Sequence, residues 1–445
     1  MLIYYLLHYI IILKKIAGNG KILQQEAIMG QIDRIEREIY LNKIISRREN
    51  GLIKIVTGIR RCGKSYLLNP LYTDYLKSTG VKEDHIIIIQ LDITENVKYH
   101  NDPEGLNNYI NSQIKDRNMY YVILDEIQKV KNFEYLLNGL LYKENLDIYV
   151  TGSNSKFLSS DIITEFRGRG DQIRVLPFSY SEFLLAFKGK KDDAWNEYMT
   201  YGGLPLVLSK KTDEEKSQYL KEQFEKNYLS DIIERNAIQR IDILDSLVNM
   251  LASSVGSLTN PQKLYSTFKS NGEKELSLNT INSYIKNIED SFIVNKANRY
   301  DIKGKKYIQT PQKYYFTDIG LRNARLNFRQ QEENHIMENI IYNELLVRGY
   351  NVDVGVVEIR DGDSRKQLEI DFVCNQGNKR YYIQSALNID SPEKNLQESR
   401  PLNSVGDNFK KIIVVKDNIK LWRNENGILI IGIQEFLTNS NSLDL

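Results

Sequence analysis

In the first half of the chain, short runs of apolar residues alternate with amphipathic stretches. Strands and helices that follow one another in this order predict a parallel β-sheet with crossover helices. The runs are nearly continuous in apolar residues, which indicates burial on both faces of the sheet. We therefore predict an α/β fold class. Five strands are expected, at Ile53–Thr57, His85–Leu91, Tyr120–Leu124, Asp147–Thr151 and Gln172–Leu176.

The pattern changes after these five strands. Residues 213–235 predict a charged helix, where a lid or linker would lie. Apolar residues at helical spacing then predict three helices, and two extended runs joined by the basic segment Lys303–Lys306 predict a hairpin. Three helices followed by a hairpin are typical of a winged helix. The helices are expected at Asp242–Val255, Pro261–Phe268 and Leu278–Glu289, and the extended runs at Phe292–Val294 and Lys313–Phe316.

The first thirteen residues, Met1–Leu13, are nearly all apolar. A membrane-spanning helix needs about twenty such residues. No basic residue precedes the run and no clean small-residue cleavage site follows it, which argues against a signal peptide. A more ordinary start comes at Met29, before an amphipathic helix. We expect residues 1–28 to be an extension outside the fold, with a weak membrane anchor as the alternative and no stable membrane insertion.

Composition adds little about partners. The chain has 445 residues, enough for two or three domains, with 60 basic and 58 acidic side chains and a net charge of +2. This balance argues neither for nor against nucleic acid. Two cysteines, Cys62 and Cys374, give no disulfide framework. A reducing, cytoplasmic compartment is therefore predicted.

Residues 53–65 predict a strand, a glycine loop and the start of a helix. Positions 58–65 fit the pattern G-x-x-x-x-G-K-[ST] of a phosphate-binding loop. In such a loop, backbone N–H groups and a helix N-terminus face phosphate oxygens, the lysine reaches the β- and γ-phosphates, and the hydroxyl ligates Mg²⁺. A chance glycine turn is the alternative. The residues predicted to contact nucleotide are Gly58, Ile59, Arg60, Arg61, Cys62, Gly63, Lys64, Ser65 and Tyr66.

Two carboxylates, Asp125 and Glu126, directly follow the third strand. Beside a phosphate loop, Asp125 is expected to help the loop hydroxyl hold Mg²⁺, and Glu126 to orient the water that attacks the γ-phosphate. A solvated acidic pair is the alternative. The next strand ends in residues 151–155, from which Asn154, in preference to Ser153, is predicted to sense the γ-phosphate. ATP and Mg²⁺ are the predicted cofactors.

Together these segments resemble a family of prokaryotic AAA-type ATPases in which a C-terminal domain of uncharacterised role follows the ATPase. The resemblance covers nearly everything from Met29 onward. It implies an AAA-like core with the phosphate-loop strand between the last strand and the sensor strand, and it supplies no substrate. The segments that carry it are Gly58–Ser65, Leu124–Gln128, Thr151–Ser155, Phe166–Arg169, Leu176–Phe183 and Tyr201–Pro205.

Arg167 and Arg169 lie on a short basic turn after the helix that follows the sensor strand. In related ATPases, an arginine near this point reaches the γ-phosphate of the same or a neighbouring subunit. The resemblance implies such a catalytic role for both residues. An arginine pair at the surface beside Asp171 is an equal alternative.

Residues 261–330 contain about thirteen basic and six acidic side chains, so this portion is basic where the whole chain is not. DNA is therefore a candidate partner of the winged helix. The alternative is that the winged helix docks on protein, either the ATPase itself, a partner or a second copy. We favour docking slightly, because the helix that would read DNA carries few arginines or lysines.

From about residue 331, a helix with Glu338 and a strand with Asp371 resemble the restriction-endonuclease-like fold, whose pattern is D…E-x-K. Gln384 and Ala386 stand where that pattern has its glutamate and lysine, so one metal-binding carboxylate and the lysine that aids water activation are absent. Asp371 and Glu338 could together hold a metal weakly. We expect a nuclease-like scaffold without nuclease activity.

These predictions divide the chain into five parts. We expect Mg²⁺-dependent ATP hydrolysis that switches the arrangement of the two C-terminal domains. The alternative is a nucleotide-gated DNA-binding regulator with negligible hydrolysis. The parts are an extension (1–28), an AAA-like ATPase domain (29–205), a helical lid or linker (206–241), a winged helix (242–330) and a nuclease-like domain (331–445).

Overall fold

The computed structural model describes residues 34–153, 168–330, 332–362 and 364–445. The first five strands are Ile53–Thr57 (β1), Ile86–Gln90 (β2), Tyr120–Asp125 (β3), Leu146–Gly152 (β4) and Gly170–Arg174 (β5). They form one parallel sheet in the order β2-β3-β4-β1-β5. The predicted parallel α/β sheet is therefore confirmed, and β1 lies between β4 and β5 as the resemblance implied.

Burial on both faces explains why these strands are so apolar. Every residue of β1 and β3 is buried. Ile53 and Ile55 of β1 belong to the core on one face, with Leu137, whereas Val56 belongs to the core on the other face, which continues into the rest of the chain. Successive side chains of a strand point to opposite faces. Both faces of the sheet are therefore covered.

Helices cover both faces of this sheet. The helix at Pro103–Gln113 begins with a proline at its first turn, and the Asp102 carboxylate caps it by accepting the N–H of Gly105 at 2.8 Å. Short helical turns lie at Glu83–His85, Thr94–Tyr99, Ile127–Lys129, Lys191–Asp193 and Pro205–Ser209. The other helical segments of this half are Glu38–Ile45, Lys64–Tyr66, Leu67–Tyr72, Thr73–Ser78, Pro103–Gln113, Phe133–Leu141, Tyr180–Ala186 and Ala194–Tyr201.

The predicted lid region forms a continuous run of helical segments at Asp213–Glu222, Gln223–Leu229 and Ser230–Asn236. It begins with a capping box, in which Thr212 and Glu215 satisfy each other's backbone N–H groups. The remaining helices are Ile241–Ser253, Pro261–Ser270, Leu278–Asp290, Ile319–Arg325, Glu333–Val347, Pro392–Asn403 and Ile433–Thr438.

A second sheet of eight strands occupies the C-terminal half, in the order β12-β13-β11-β10-β9-β8-β6-β7 once its strands are numbered along the chain. Parallel and antiparallel pairs both occur in it. The strands are Val294–Asp301 (β6), Lys306–Phe316 (β7), Asn351–Asp361 (β8), Ser364–Gln376 (β9), Lys379–Ala386 (β10), Lys410–Val415 (β11), Trp422–Arg423 (β12) and Leu429–Gly432 (β13).

The three helices and the hairpin of the predicted winged helix are present, but the hairpin does not stand apart. β6 pairs antiparallel with β7 and parallel with β8. The hairpin is therefore an edge of the eight-stranded sheet, which continues across the boundary predicted at residue 331. Lys303, Lys305 and Lys306 are exposed at its turn, where the amine of Lys303 donates to the Glu358 carbonyl at 2.9 Å.

Asp318 joins the two halves of the molecule. It follows β7 and caps the helix Ile319–Arg325 by accepting the N–H of Leu321 at 3.0 Å. Its other oxygen accepts the N–H of Gly203 at 2.8 Å. A side chain at Gly202, whose φ is 73°, would lie 2.4 Å from the same carboxylate. Glycine is therefore required where the ATPase-like half meets the C-terminal half.

The expectations for residues 1–28 concern a segment outside the described residues. Within the described ranges, no helix combines the length and the apolar character needed to cross a membrane. Cys62 and Cys374 are both buried free thiols.

Candidate nucleotide site

The glycine loop lies between the end of β1 and the helix that begins at Lys64. Gly58 has φ 148°, and a β-carbon there would lie 2.1 Å from the Val175 carbonyl oxygen. Gly63 has φ 97°, which favours glycine. Gly58 therefore lets the loop lie close to the backbone of Val175, and Gly63 permits a left-handed turn into the helix. In phosphate loops, such a course turns backbone N–H groups toward the bound anion.

Lys64 is buried in the loop it belongs to. Its amine donates to the carbonyls of Gly58 at 3.2 Å and Ile59 at 3.0 Å. Only 4% of the residue is exposed. A buried ammonium held by neutral carbonyls is poised for a stronger anionic partner.

Ser65, Asp125 and Thr151 converge at the carboxyl edge of the sheet. The Ser65 hydroxyl donates to one Asp125 oxygen at 3.0 Å, and the Thr151 hydroxyl donates to the same oxygen at 2.5 Å. These are hard oxygen donors of the kind that Mg²⁺ prefers. Burial raises the pKa of Asp125, and the hydrogen bonds from Thr151 and Ser65 oppose that rise. Ser65 and Asp125 therefore fit the predicted Mg²⁺ site.

Glu126 lies beside this group. Its backbone N–H donates to the Thr151 hydroxyl at 2.9 Å, which links the ends of β3 and β4. Its φ of 56° is left-handed, an unfavourable backbone conformation that turns its carboxylate out of the strand. That carboxylate accepts from Ser153 at 3.3 Å and from the Gln128 side chain. Thr151, to which the sequence assigned no role, holds both acidic residues in place.

Asn154 and Arg167 lie outside the described residues. Arg169 is described, and it lies away from the phosphate loop. Its carbonyl accepts the N–H of Ile53 at 2.9 Å, at the start of β1, whereas the loop follows the end of β1. The Arg169 guanidinium lies 5.7 Å from the centre of the Tyr142 ring. The parallel strands all run in one direction, so Arg169 lies where the strands begin, whereas the phosphate loop lies where they end. Arg169 therefore does not reach the nucleotide site of its own chain.

The lid helices contact the loop through Asp231. One Asp231 oxygen accepts from Arg60 of the loop at 2.6 Å, and the other accepts from Arg235 at 2.6 Å. The Tyr228 hydroxyl donates to the Arg60 carbonyl at 2.7 Å. The sequence predicted only a charged helix here and assigned no role to these lid residues. Their signal was limited to an i, i+4 spacing of Asp231 and Arg235.

Arg37 was missed as well. This arginine precedes the helix Glu38–Ile45, and its side chain is 2% exposed. It donates to the carbonyl of Cys62 in the loop at 2.8 Å, to the carbonyl of Leu176 at 2.8 Å and to Glu182 at 2.9 Å. A single buried side chain therefore connects the N-terminal segment, the loop and the segment after β5.

A second cluster of ionisable groups lies in the C-terminal half, where the sequence suggested a weak metal site. The buried Lys313 of β7 places its amine 2.8 Å from Glu338, 2.7 Å from Glu369 and 3.6 Å from Asp371. The Tyr315 hydroxyl donates to Glu338 at 2.5 Å. The cation between Glu338 and Asp371 is therefore a lysine of this chain. Among the described residues, no group of three or more histidine, cysteine or acidic side chains is arranged to hold a metal.

The charges in this cluster shift one another's pKa values. Burial raises the pKa of Asp371 to about 8, and the neighbouring Glu338 adds to the rise. Burial, the largest single influence, acts to raise the pKa of Glu338, but Lys313 together with hydrogen bonds from His335 and Tyr315 holds that pKa below its ordinary value. Gln384 and Ala386 are where the sequence analysis placed them, on β10, and the Gln384 side chain accepts the Asp371 N–H at 3.4 Å.

Family models match the chain in succession. Residues 50–184 match a model described as an AAA domain. Residues 192–332 match a domain of unknown function (DUF8612), and residues 333–436 match another (DUF4143).

The chain is also similar to individual proteins in structure and in sequence. The ORC1 protein of Aeropyrum pernix in complex with DNA has a TM-score of 0.32 at 11% identity, covering 65% of this chain and 92% of that one. AMPPCP-bound DnaA of Aquifex aeolicus has a TM-score of 0.29 at 14% identity, covering 57% and 91%. The uncharacterized protein MJ1544 of Methanocaldococcus jannaschii is 27% identical over 378 residues, 81% of each chain. An uncharacterized protein of Haemophilus influenzae is 35% identical over 387 residues, 85% of this chain and 93% of that protein. The chain therefore belongs to the family of the Haemophilus influenzae protein, and its residues 50–184 form an AAA-type P-loop ATPase domain.

Proposed function

We propose that this protein hydrolyses ATP with Mg²⁺ and uses its nucleotide state to change how the lid and the C-terminal half sit on the ATPase domain. The observation that carries the proposal is the convergence of the phosphate loop with Asp125, Glu126 and Thr151 at one edge of the sheet. Binding alone would not require a carboxylate beside the magnesium ligands. Glu126 therefore favours turnover over a binding-only role.

The chemistry divides among a few side chains. Backbone N–H groups of the loop and the Lys64 ammonium bind the β- and γ-phosphates. Ser65 and Asp125 would hold Mg²⁺, which would supply positive charge that neutralises the phosphates. Glu126 accepts a hydrogen bond from the attacking water and orients it. Asn154 senses the γ-phosphate. Arg167 stabilises the negative charge that develops on that phosphate during hydrolysis. Arg169 could do this only for a nucleotide bound to a neighbouring subunit.

The lid is coupled to nucleotide through Arg60. In the structure, the loop residue Arg60 and the lid residue Arg235 share the carboxylate of Asp231. A triphosphate in the loop competes for the Arg60 guanidinium, because phosphate and carboxylate are both bidentate partners of arginine. Loss of that contact would free the lid helix. The Asp318–Gly203 contact then supplies a rigid link from the ATPase domain to the C-terminal half.

Equilibrium titration with a fluorescent ATP analogue, with Mg²⁺ present, tests the binding step. Lys64→Ala should lose binding, since it removes the cation that faces the phosphates, whereas the exposed Lys82→Ala serves as a matched control and should bind as the wild type does. Hydrogen exchange of residues 223–236 tests the switch. A non-hydrolysable ATP analogue should raise exchange there, and unchanged exchange in saturated protein would contradict the coupling.

A nucleotide-gated DNA-binding role is the second candidate, and the neighbourhood of the hairpin turn favours it. The exposed lysines at 303, 305 and 306 lie next to the β8–β9 hairpin, which adds the exposed Arg365 and Lys366. Phosphate contacts make log K fall with log salt by about 0.9 per phosphate. Alanine at the three lysines should flatten this slope by up to roughly three units. Alanine at the exposed lysines 188, 190 and 191 should leave it unchanged. Absence of duplex binding by the wild type at physiological salt would instead favour protein docking or self-association.

A further inference from the structure

The N-terminal segment contributes one residue to the nucleotide site. We propose that Arg37 is a positioning residue, which fixes the backbone of the phosphate loop in the course that binds phosphate. The inference rests on the proposed ATP binding and adds a residue outside the AAA domain match, which begins at residue 50.

The first support is the set of acceptors that Arg37 satisfies. Its guanidinium carries five N–H donors in a fixed plane. Three separate segments use them: the loop through the Cys62 carbonyl, the chain after β5 through the Leu176 carbonyl, and the helix Tyr180–Ala186 through Glu182. A lysine ammonium is a single compact donor group and lacks this planar fork. The loop is therefore tied to two other parts of the domain by one rigid group.

The second support is where the contact falls on the loop. The Cys62 carbonyl belongs to the peptide unit whose N–H is that of Gly63, so fixing the carbonyl also fixes the direction of that N–H. A β-carbon built at Gly63 would lie 3.4 Å from a terminal nitrogen of Arg37. The guanidinium therefore packs directly behind the turn from the loop into the helix of Lys64 and Ser65.

The third support is how firmly Arg37 is held. Its guanidinium carbon lies 4.7 Å from the centre of the Tyr40 ring and 5.1 Å from the centre of the Phe178 ring. Glu182, which balances its charge, is itself fixed, because its second oxygen accepts the N–H of Ser179 at 3.0 Å. The backbone of Arg37 has φ 49°, a left-handed conformation that a residue with a side chain adopts only when its surroundings enforce it.

The test compares two like changes in the full chain. Arg37→Lys keeps the charge and removes the planar fork. Arg47→Lys is the matched control, because Arg47 also ties this N-terminal segment to the sheet, through Asp171 at 2.8 Å, but at the edge away from the loop. Both variants are compared well below their melting temperatures. Arg37→Lys should weaken ATP affinity by about tenfold or more and raise KM more than it lowers kcat, whereas Arg47→Lys should stay within about twofold of the wild type.

Hydrogen exchange separates this inference from the proposed function. In protein without nucleotide, the backbone N–H groups of residues 61–65 should exchange faster in Arg37→Lys than in Arg47→Lys. If the wild type bound no ATP, the proposed function would fail while this exchange result could still stand. Wild-type ATP affinity and wild-type exchange in Arg37→Lys would overturn the positioning role. Should Arg37→Lys not fold, Glu182→Gln should show the same pattern more weakly, and wild-type behaviour of that variant would overturn the role as well.

Discussion

Replacing Lys313 by methionine removes the only ammonium that the described structure places among Glu338, Glu369 and Asp371. At 2.8 Å and an effective dielectric constant of about 20, the Coulomb attraction between Lys313 and Glu338 is roughly 6 kcal/mol. Desolvation of the buried ions offsets much of this energy. Breaking a buried pair by removing one partner nevertheless costs about 3–5 kcal/mol, because a charge is left without compensation. We expect that loss in the free energy of unfolding at pH 8.

The loss should depend on pH with a definite sign. In the wild type, burial acts to raise the pKa of Glu338 and Lys313 is the main group that opposes it. Without Lys313 this opposition weakens, so protonation of Glu338 on acidification should relieve the uncompensated charge. At pH 5.5 the variant should therefore recover part of its deficit. Adding Glu338→Gln to Lys313→Met should restore much of the stability at pH 8, since it removes the charge that lost its partner.

Urea unfolding followed by circular dichroism at pH 8 and pH 5.5 measures both effects. Lys379→Met is the matched control, because Lys379 lies on the same sheet and pairs at the surface with Asp444 at 2.9 Å. Its unfolding midpoint should barely change. A Lys313→Met protein within about 1 kcal/mol of the wild type at pH 8 would refute the view that this cluster holds buried charges. Equal losses at both pH values would refute the assignment of the effect to a carboxylate.

Three further outcomes are expected. The pKa of Asp371 is raised to about 8, so at neutral pH its carboxyl is protonated in the folded protein and ionised in the unfolded chain. The free energy of unfolding of the wild type should therefore fall as pH rises from 6 to 9, and Asp371→Asn should lack this fall. If the stability of both proteins changed with pH in the same way, the raised pKa of Asp371 would be contradicted. Purified protein with Mg²⁺ or Mn²⁺ should not cut linear, supercoiled or single-stranded DNA above background, because Lys313 occupies the space between Glu338 and Asp371; cleavage that disappears in Asp371→Ala would overturn this. Lys54→Met should cost about 3–5 kcal/mol in calorimetric or urea unfolding, because Lys54 is fully buried and pairs with Asp147; a cost below about 1 kcal/mol would show that the pair is not ionised.

The sequence predicted the first sheet well, because burial on both faces leaves a direct pattern of apolar runs. The edge strand is the instructive exception. The apolar residues placed it at Gln172–Leu176, but the strand is Gly170–Arg174. Only Ile173 is fully buried in it, and the polar Asp171 and Gln172 pair with β1 as readily as apolar residues would, since the ladder uses backbone groups. Apolar content therefore misplaces a strand that is mostly polar, such as β5, whereas the other edge strand, β2, lies inside its predicted range because it is rich in isoleucine.

Contacts between distant segments could not be predicted. Lys313 and Glu338 are 25 positions apart and Arg37 and Glu182 are 145 apart, and no periodicity links them. The parallel pairing of β6 with β8 joins the predicted winged helix to the predicted nuclease-like domain. Each of these segments has the pattern of a whole domain, so the sequence places the hairpin in a domain of its own. By contrast, Ser65 and Asp125 could be brought together from sequence, because the carboxyl ends of parallel strands meet at one edge.

Glu126→Gln tests the central claim most directly. The amide keeps the size of the side chain and cannot take up a proton from water, so a variant with intact phosphate-loop contacts should bind ATP with wild-type affinity. Steady-state hydrolysis with Mg²⁺ should fall by about 10²–10⁴, the range that a positioned general base contributes. Wild-type turnover by Glu126→Gln, in protein that loses ATP binding when Lys64 is replaced, would show that another residue activates the water and would contradict this account.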